Sequence, residues 1–447
     1  MTDSAAHPID TLIDARWVIP VEPAGTVLSD HSVAIDGGRI VAILPTETAR
    51  LRFVPRAYHR LTDHALLPGL INLHTHAAMT LLRGYADDLP LMEWLKGHIW
   101  PAEARHMSPD FVRDGARLAC AEMLRGGITC FNDMYFFPEA VAEAALDAGM
   151  RAAIGLIVVD FPTAYAGDPD DYLNKGFALR DRLRDEPLLS FTLAPHAPYS
   201  VGDDTFEKIA TFASQLDLPI HIHLHETEDE IQQSLARYQQ RPLARLHNLG
   251  LTGPSLIAVH GVHLNADEQA LLAAQGCHLA HCPASNLKLA SGFAPIASLL
   301  QHGVNIGIGT DGAASNNKLD LFAEMRLAAL LAKGVSSDAA ALPAHTALQM
   351  ATLNGARALG LDDKMGSLIP GKQADIIAVD LSSVETQPCF DPISALVYAA
   401  GREQVSHVWV DGQLRLDNRQ LTTLDVRELR LAASVWHSRI STEREQP

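Results

Sequence analysis

Eight short apolar or β-branched runs alternate with stretches of helical character from residue 67 onward. This alternation is typical of parallel β/α units, and eight such units in about 300 residues predict a (β/α)8 TIM-like barrel. A doubly wound open sheet is the structural alternative. The predicted strands are LINLHTH, ITCFNDM, RAAIGLIVVD, SFTLAPHA, IHIHLHET, LIAVHGVH, CHLAHCP and VNIGIGTDG.

Both ends of the chain show a different pattern, in which short alternating strands meet at Asp-Gly or Gly-Gly turns. The segments are GTVLSDHSVAIDGGRIVAI near the start, and ADIIAVD and VSHVWVDGQLRL near the end. We expect residues 1–66 and 367–447 to form one small composite β-sandwich domain. Residues 67–366 would then form the barrel of an α/β protein.

Histidine and aspartate recur where the predicted strands end, and in a β/α barrel that face carries the chemistry. Because residues i and i+2 of a strand point to the same side, His74 and His76 can bind one ion together. The fifth run offers three histidines on one face, and alternation alone does not choose among them. The residues at these strand ends are His74, His76, His196, His221, His223, His225, His260, His263, His281 and Asp311.

A lone histidine at a strand end is more often a hydrogen-bonded structural residue than a metal ligand, but histidine and aspartate at four separate strand ends favour a metal site. Three imidazoles and one carboxylate suit a divalent transition ion such as zinc, with one position open for water. An open position implies catalysis, because the ion lowers the pKa of its water to about 7. Glu226, which follows His225, is a candidate general acid or base.

Charge and missing motifs argue against several other functions. With 35 basic and 53 acidic residues the net charge is -18, and no basic stripe is present, so nucleic acids and anionic membranes are not expected partners. H-E-x-x-H, P-C-x-x-C and P-loop motifs are absent from the sequence. Their absence disfavours thermolysin-like proteases, cytidine-type deaminases and P-loop nucleotide-binding proteins.

Cysteine usage and the N-terminal sequence bear on location. The five cysteines include no C-x-x-C pair, which indicates reduced thiols rather than a disulfide framework. The segment MTDSAAHPID has neither the basic nor the apolar part of a signal peptide, and no apolar stretch reaches the roughly 18 to 20 residues of a membrane span. We therefore expect a cytoplasmic protein.

Five longer motifs resemble those of the amidohydrolase superfamily and, within it, the 5'-methylthioadenosine/S-adenosylhomocysteine deaminases. The resemblance covers nearly the whole chain, and it implies one metal ion, since no lysine is needed as a carbamate bridge, and a homo-oligomer. Guanine deaminases and chlorotriazine hydrolases share most of the metal motifs. The motifs are PGLINLHTH, HIHLHETEDE, HCPASNLKLASGFAPI, NIGIGTDGAASNNKLDLFAEMR and GSLIPGKQADIIAVD.

The resemblance assigns the metal ligands by position. The family's H-x-H falls on His74 and His76, its third histidine on His223, and its aspartate on Asp311. His223 is identified because a glutamate follows it three residues later, and this resolves the choice that alternation left open. The resemblance thus implies one zinc ion, or another divalent transition metal, bound by these four residues.

The same resemblance implies the roles of the catalytic and substrate-binding residues. In such deaminases an activated water attacks C6 of the adenine ring and ammonia leaves. Asp311 would accept the proton of the water, Glu226 would protonate N1, and His260 would orient the water and stabilise the tetrahedral centre. Glu103, in WPAE, would bind ribose hydroxyls, and His196, in APHAPYS, would make a second nucleoside contact. A solvated carboxylate and a structural histidine are the simpler alternatives for Glu103 and His196.

Three further residues bear on the substrate. Some family members carry an arginine that meets the carboxylate of S-adenosylhomocysteine, and an ungapped comparison places Leu156 there. An apolar residue would suit a methylthio group better, so we expect a preference for methylthioadenosine or adenosine. Trp94 is more simply explained as a core residue, and His281 has no assigned role.

The sequence therefore predicts a zinc-dependent hydrolase that deaminates an adenine nucleoside. One alternative is a related enzyme that acts on another ring C–N or C–Cl bond, of the guanine deaminase or triazine hydrolase type. The other is a metal-bound structural or ligand-binding protein descended from such enzymes. Such a descendant would normally have lost one of the metal ligands, or Glu226, or His260. All of these residues are present in this chain.

Overall fold

The structure is a computed structural model that describes residues 7–444. Its strands form two sheets. In chain order the strands are β1 (His7–Val18), β2 (Leu28–Asp36), β3 (Arg39–Pro45), β4 (Phe53–Pro68), β5 (Leu70–Thr75), β6 (Ile128–Met134), β7 (Arg151–Val158), β8 (Leu189–Pro195), β9 (Ile220–Leu224), β10 (Leu256–His260), β11 (His278–His281), β12 (Asn305–Ile308), β13 (Ile376–Asp380), β14 (Val405–Val410), β15 (Gln413–Asp417) and β16 (Gln420–Leu421).

Strands β5 to β12 pair in chain order, each parallel to its neighbour, and they coincide with the eight predicted runs. The ring closes where the end of β12 meets β5. There the amides of Thr310 and Asp311 donate to the carbonyl of His74 at 3.1 and 3.0 Å, and Asn72 Oδ1 accepts from the Thr310 amide at 2.9 Å. The predicted barrel is confirmed, and the open-sheet alternative is wrong.

Glycines permit the close approach at this seam. A Cβ atom at Gly309 would lie 2.9 Å from the Cβ of His74, and one at Gly312 would lie 3.3 Å from the Cβ of His76. Residues 307–312 match the G-x-G-x-x-G pattern of dinucleotide-binding loops. In this barrel the packing of the first strand against the last accounts for the match.

Helices follow most of the barrel strands and cover the outside of the barrel. The α-helices are α1 (Thr46–Arg52), α2 (Leu91–Trp94), α3 (Trp100–His106), α4 (Pro109–Arg125), α5 (Pro138–Ala148), α6 (Pro169–Leu183), α7 (Asp203–Leu216), α8 (Glu228–Tyr238), α9 (Pro242–Asn248), α10 (Ala266–Gln275), α11 (Pro283–Lys288), α12 (Ile296–Gln301), α13 (Ala313–Asn316), α14 (Leu321–Ser336), α15 (Ala344–Met350), α16 (Leu353–Ala358), α17 (Pro392–Tyr398) and α18 (Val426–Arg444). A π-helix spans Leu95–Ile99, and 3-10 helices span Ala77–Leu82, Val384–Thr386 and Arg402–Gln404.

The second sheet joins both ends of the chain, in the order β16-β15-β14-β13-β4-β1-β2-β3. The sheet bends around its own apolar core. The turn between β2 and β3 and the start of β3 form backbone hydrogen bonds with the segment before β13. Ile40 N donates to Lys372 O at 2.9 Å, and Ala374 N donates to Gly38 O at 2.8 Å. The expectation that both chain ends build one small β unit beside the barrel is confirmed.

A buried arginine links the two sheets. Arg151 begins β7 and is 5% exposed. Its Nε bonds to Asp375 at 2.6 Å and its Nη2 to Asp411 at 2.8 Å, and both carboxylates flank strands of the second sheet. The barrel and the second sheet are therefore held together by a partly buried ion-pair network as well as by apolar packing.

Within residues 7–444, no helix has the length and apolar character needed to cross a bilayer.

Candidate metal centre and substrate cavities

Four side chains from three strand ends converge at the carboxyl end of the barrel. His74 lies in β5 and His76 directly after it, His223 lies in β9, and Asp311 follows β12. Each offers one ligand atom, and these four atoms lie within 4.8 Å of one another. The structure thus brings together the four residues that the family resemblance assigned to the metal.

The histidines of this cluster are held through their Nδ1 atoms. His76 and His223 use Nδ1 to donate to backbone carbonyls, the latter at 2.7 Å, and the Nδ1 of His74 lies 2.9 Å from the Nε2 of His221. A carbonyl acceptor requires the proton on Nδ1, so Nε2 is left with its lone pair toward the shared point. Three such nitrogens and a carboxylate are a donor set that fits zinc.

The structure separates the three histidines of the fifth run. His223 belongs to the four-residue cluster, whereas His221 lies beneath it and bonds to His74. His225 is used in the backbone framework, because its Nε2 accepts the amide of Leu243 at 3.0 Å. His221 and His225 are therefore supporting residues, and His223 is the one placed to bind an ion.

The two oxygens of Asp311 have different surroundings. Oδ1 lies 3.2 Å from the Nε2 atoms of both His74 and His76. Oδ2 accepts from the hydroxyls of Ser285 and Ser315, each at 2.6 Å. Burial raises the pKa of Asp311. When His74 and His76 carry protons on Nε2, in place of a metal ion, their hydrogen bonds and charges outweigh burial and hold this pKa well below its ordinary value. Asp311 is thus an ionised carboxylate whose Oδ1 could bind a metal ion together with the histidines.

Glu226 and His260 lie beside this cluster. The Oε2 of Glu226 is 3.8 Å from the Nε2 of His260, and the Nδ1 of His260 bonds to Asn286 Oδ1 at 2.8 Å. Burial is the largest influence on the Glu226 carboxyl and raises its pKa above the ordinary value. Burial therefore favours the protonated form of this carboxyl, which is the form that a general acid requires.

Two residues of the site have left-handed backbone conformations. The φ angles of His260 and Asp311 are 72° and 60°, a region that residues other than glycine seldom occupy. Each such conformation costs of order 1–3 kcal/mol and persists only where the surrounding structure enforces it. Both residues lie at or just after the end of a strand, and both side chains line the inner end of the barrel mouth.

Two adjoining cavities open at this end of the barrel. The inner cavity, of about 80 Å³, is lined by His76, His223, Glu226, His260 and Asp311 among others. The outer cavity, of about 710 Å³, has an apolar wall that includes Met107, Phe136, Val159 and Phe161. The residues that line both cavities are Trp100, Glu103, His196 and Tyr199.

Glu103 and His196, to which the family resemblance assigned the nucleoside contacts, thus lie at the boundary of the two cavities. Tyr135 donates its hydroxyl proton to Glu103 Oε1 at 2.6 Å, and the Nδ1 of His196 lies 3.1 Å from Ser200 Oγ. Burial raises the pKa of Glu103, and the hydrogen bond from Tyr135 opposes that shift.

Leu156, Trp94 and His281 differ in their relation to the site. Leu156 faces helix α6, because a Cβ atom built at Gly176 in that helix would lie 3.1 Å from the Cβ of Leu156. The prediction that Leu156 lines the substrate site is therefore wrong. Val159 lines the outer cavity instead. Trp94 lines the inner cavity and is also buried. His281 faces a separate small cavity beside α14 and does not reach the cluster.

Sequence reasoning missed the residues that hydrogen-bond to the candidate site residues and to the backbone beside them. Ser285 and Ser315 bond to Asp311, and Asn286 bonds to His260. Glu230 accepts the amides of His225 and Glu226 at 2.9 and 2.8 Å and so fixes the turn after β9. These residues lie in loops and first turns of helices, where alternation gives no signal, although HCPASN and HETEDE contain three of them.

The sequence profile described as the amidohydrolase family matches residues 65–415 of the chain. A protein of Teredinibacter turnerae named 5-methylthioadenosine/S-adenosylhomocysteine deaminase is 51% identical over 436 residues, which cover 98% of this chain and 99% of that protein. The family motifs of the sequence analysis are therefore part of a match along almost the whole chain.

Solved structures give the same relationship. An adenosine deaminase from Xanthomonas campestris with bound zinc has 53% identity and a TM-score of 0.97, covering 98% of this chain and all of that one. The atrazine chlorohydrolase of Arthrobacter aurescens, solved with zinc, has 27% identity and a TM-score of 0.88, covering 95% of this chain and 99% of that one. The chain belongs to the amidohydrolase family and, within it, to the 5'-methylthioadenosine/S-adenosylhomocysteine deaminases.

Proposed function

We propose that this enzyme deaminates 5'-methylthioadenosine and adenosine in preference to S-adenosylhomocysteine, with one zinc ion held by the four-residue cluster. The enzyme is a hydrolytic deaminase of adenine nucleosides, and its products are the hypoxanthine nucleoside and ammonia. The observation that carries the assignment of residues is the convergence of the cluster with Glu226 and His260 on the inner cavity.

His74, His76, His223 and Asp311 would hold the ion, since their ligand atoms surround one point and the Nε2 atoms are free to donate. A zinc ion bound there lowers the pKa of a coordinated water to about 7 and so supplies a nucleophile at neutral pH. The burial of the cluster keeps competing water away from the reacting atoms.

The proton transfers are assigned to Glu226 and Asp311. As water adds to C6 of the ring, the Asp311 carboxylate accepts its proton and the Glu226 carboxyl gives a proton to N1. Asp311 then passes its proton to the leaving amino group. The C6–N bond breaks, ammonia departs, and the hydroxyl on C6 returns its proton to Glu226 as the carbonyl forms. His260 directs Nε2 toward the same space. Its lone pair would accept a hydrogen bond from the attacking water and then from the hydroxyl of the tetrahedral centre, which holds both in place.

Glu103 and His196 would bind the ribose, because they lie where the inner cavity opens into the outer one. Tyr135 occupies one oxygen of Glu103, which leaves the other as an acceptor for a sugar hydroxyl. The 5'-substituent would then extend into the outer cavity. Its apolar wall, rather than Leu156, now supports the preference for a methylthio group.

Comparing kcat/KM for methylthioadenosine, adenosine and S-adenosylhomocysteine tests the proposed preference. We expect the first two to exceed the third, and equal values would contradict it. Arg237 is the one arginine among the residues lining the outer cavity, so Arg237→Ala serves as a matched variant. If that variant selectively loses activity on S-adenosylhomocysteine, Arg237 contacts the amino-acid tail. A chelator should abolish all three activities, and zinc should restore them.

Guanine deamination and triazine hydrolysis are less favoured functions of the same site. The relative from Teredinibacter turnerae, at 51% identity, is named a deaminase of adenine nucleosides, whereas the triazine enzyme is 27% identical. Guanine and atrazine should therefore be poor substrates when tested beside adenosine.

We also propose a division into two domains, in which residues 1–66 and 367–447 form the small β domain and residues 67–366 form the barrel. Residues 1–6 and 445–447 lie outside the described residues.

We further propose a homo-oligomer from the family resemblance, and native mass measurement tests it. A cytoplasmic location is supported by the five free thiols. The acidic net charge supports the absence of nucleic-acid partners.

A further inference from the structure

Residues 282–291, which follow β11, reach side chains at the ends of both neighbouring strands. In the barrel β11 lies between β10, which ends in His260, and β12, which precedes Asp311. Helix α11 lies within this segment, and its first turn places Ser285 and Asn286 next to each other. Adjacent residues of one turn therefore contact two catalytic groups that belong to different strands.

Asn286 determines the tautomer of His260. Its Oδ1 lies 2.8 Å from the Nδ1 of His260, and both side chains are about 1% exposed. A carbonyl oxygen only accepts, so it requires the His260 proton on Nδ1 and leaves the lone pair on Nε2. The Nε2 atom is the one that lies 3.8 Å from Glu226 and faces the inner cavity.

Ser285, together with Ser315, determines which oxygen of Asp311 faces the histidines. Its hydroxyl donates to Oδ2 at 2.6 Å, on the side away from His74 and His76, which approach Oδ1. Ser285 is fully buried, so water does not compete for this bond. A carboxylate held by short hydrogen bonds on one oxygen has little freedom to rotate.

The segment is itself anchored by groups outside the site. The amide of Ala284 donates to Glu324 Oε2 at 3.0 Å, which ties the start of α11 to α14. Lys288, at the end of α11, bonds to Asp87 Oδ1 at 2.6 Å and to the carbonyl of Ala314 at 3.0 Å. With both ends fixed, the turn can hold His260 and Asp311 in one relative orientation.

We propose that Ser285 and Asn286 are positioning residues for the deamination step, which set the tautomer of His260 and the orientation of Asp311. This inference rests on the proposed function. The amide nitrogen Nδ2 of Asn286 is buried and has no hydrogen-bond partner among the described side chains and backbone, so an asparagine at this position carries an energetic cost. An unpaired buried donor is destabilising by about 1–3 kcal/mol, and a fixed catalytic tautomer accounts for its presence.

Asn286→Ala tests the proposal in the zinc-loaded enzyme. We expect kcat to fall about 10- to 100-fold, the range typical of supporting residues, with KM and bound zinc unchanged. The matched control is Asn305→Ala, because Asn305 bonds to His278 at 3.0 Å at the opposite end of β11 and β12. That variant removes a similar His–Asn contact, and we expect it to keep kcat.

Asn286→Asp is the rescue variant, because its carboxylate can still accept from the Nδ1 of His260. We expect it to recover most of the lost kcat somewhere between pH 6 and 9. If Asn286→Ala keeps full kcat, or if a folded, zinc-loaded Asn286→Asp is as slow as Asn286→Ala at every pH, the positioning role is wrong. A wild-type enzyme without activity on adenine nucleosides would instead overturn the proposed function.

Discussion

The Nδ1 of His74 lies 2.9 Å from the Nε2 of His221, so a histidine of the metal cluster rests on a second, fully buried histidine beneath it. If His221 accepts from the Nδ1–H of His74, the Nε2 of His74 keeps its lone pair for the ion. His221 is thus a supporting residue whose loss should be felt at the metal.

We expect His221→Phe to bind zinc about 10- to 100-fold more weakly, because His74 loses the acceptor that fixes its tautomer. Competition with a chromophoric chelator measures the affinity. His225→Asn is the matched control, since His225 supports the backbone through Leu243 and lies outside the cluster. Equal zinc affinities in the wild type and His221→Phe would contradict this view of His221.

Glu226→Gln should retain zinc and lose at least about 100-fold in kcat, because the amide cannot give a proton to N1. His74→Ala should lose zinc and deamination together. Metal analysis and the change in ultraviolet absorbance as adenine becomes hypoxanthine distinguish the two. Full zinc and full activity in His74→Ala would refute the site assignment as a whole.

Glu103→Ala should lower kcat/KM for adenosine about 10- to 100-fold, because a hydrogen bond to a charged group contributes about 1.5–3 kcal/mol. Activity on free adenine, which has no ribose, should change much less. Tyr135→Phe, which removes only the partner of Glu103 Oε1, is the control and should have a smaller effect. An unchanged value for adenosine in Glu103→Ala would show that Glu103 does not bind ribose.

Leu156→Arg should destabilise the fold by more than about 3 kcal/mol, because it buries a charge between β7 and α6. It should not improve activity on S-adenosylhomocysteine, since the side chain faces away from the outer cavity. Urea unfolding and kcat/KM measure the two effects, and Leu156→Met should cost less than about 1.5 kcal/mol. A stable arginine variant with raised activity on S-adenosylhomocysteine would restore the original prediction.

Stability should fall as the pH rises toward about 8, because of Glu324 in α14. Burial raises the pKa of this carboxyl to about 8, against the opposing hydrogen bonds from Ala284 and Asn316. Unfolded, the same group has a pKa of about 4.3, so the folded chain binds one more proton than the unfolded chain between these two values. The free energy of unfolding therefore falls with rising pH across this interval and levels off above about pH 8. Urea midpoints at pH 6 and pH 9 should differ less for Glu324→Gln than for the wild type. An identical pH dependence would argue against the raised pKa.

The barrel could be predicted because each of its strands is a run of apolar residues bounded by helical stretches. Strands β1 and β4 of the second sheet were not identified individually. Strand β4 spans sixteen residues, and its first part is largely exposed, so its sequence FVPRAYHRLTDHALLP lacks a clean apolar run. Only its pairing with β1 and β13 gives it a place in the fold.

Within the site, period-two alternation placed His74 and His76 together, but it could not select His223, which required the family motif. The same alternation argues against Leu156, since it shares a face of β7 with Ile154 and Val158 and those residues are buried in the core outside the barrel ring. Residues such as Asn286 act through side-chain contacts between loops. Their role depends on distances between side chains of different loops, and the alternation of apolar and polar residues along the sequence does not predict those distances.

The seam between β5 and β12 joins residues that are 237 positions apart, and it carries His74 on one side and Asp311 on the other. During synthesis the cluster therefore stays incomplete until Asp311, at about 70% of the chain's 447 residues, has left the ribosome. Detachment of β12 in the finished protein would remove a metal ligand as it opens the ring. An ion that binds only the closed ring stabilises it by mass action, so metal supply and the lifetime of the closed barrel are linked.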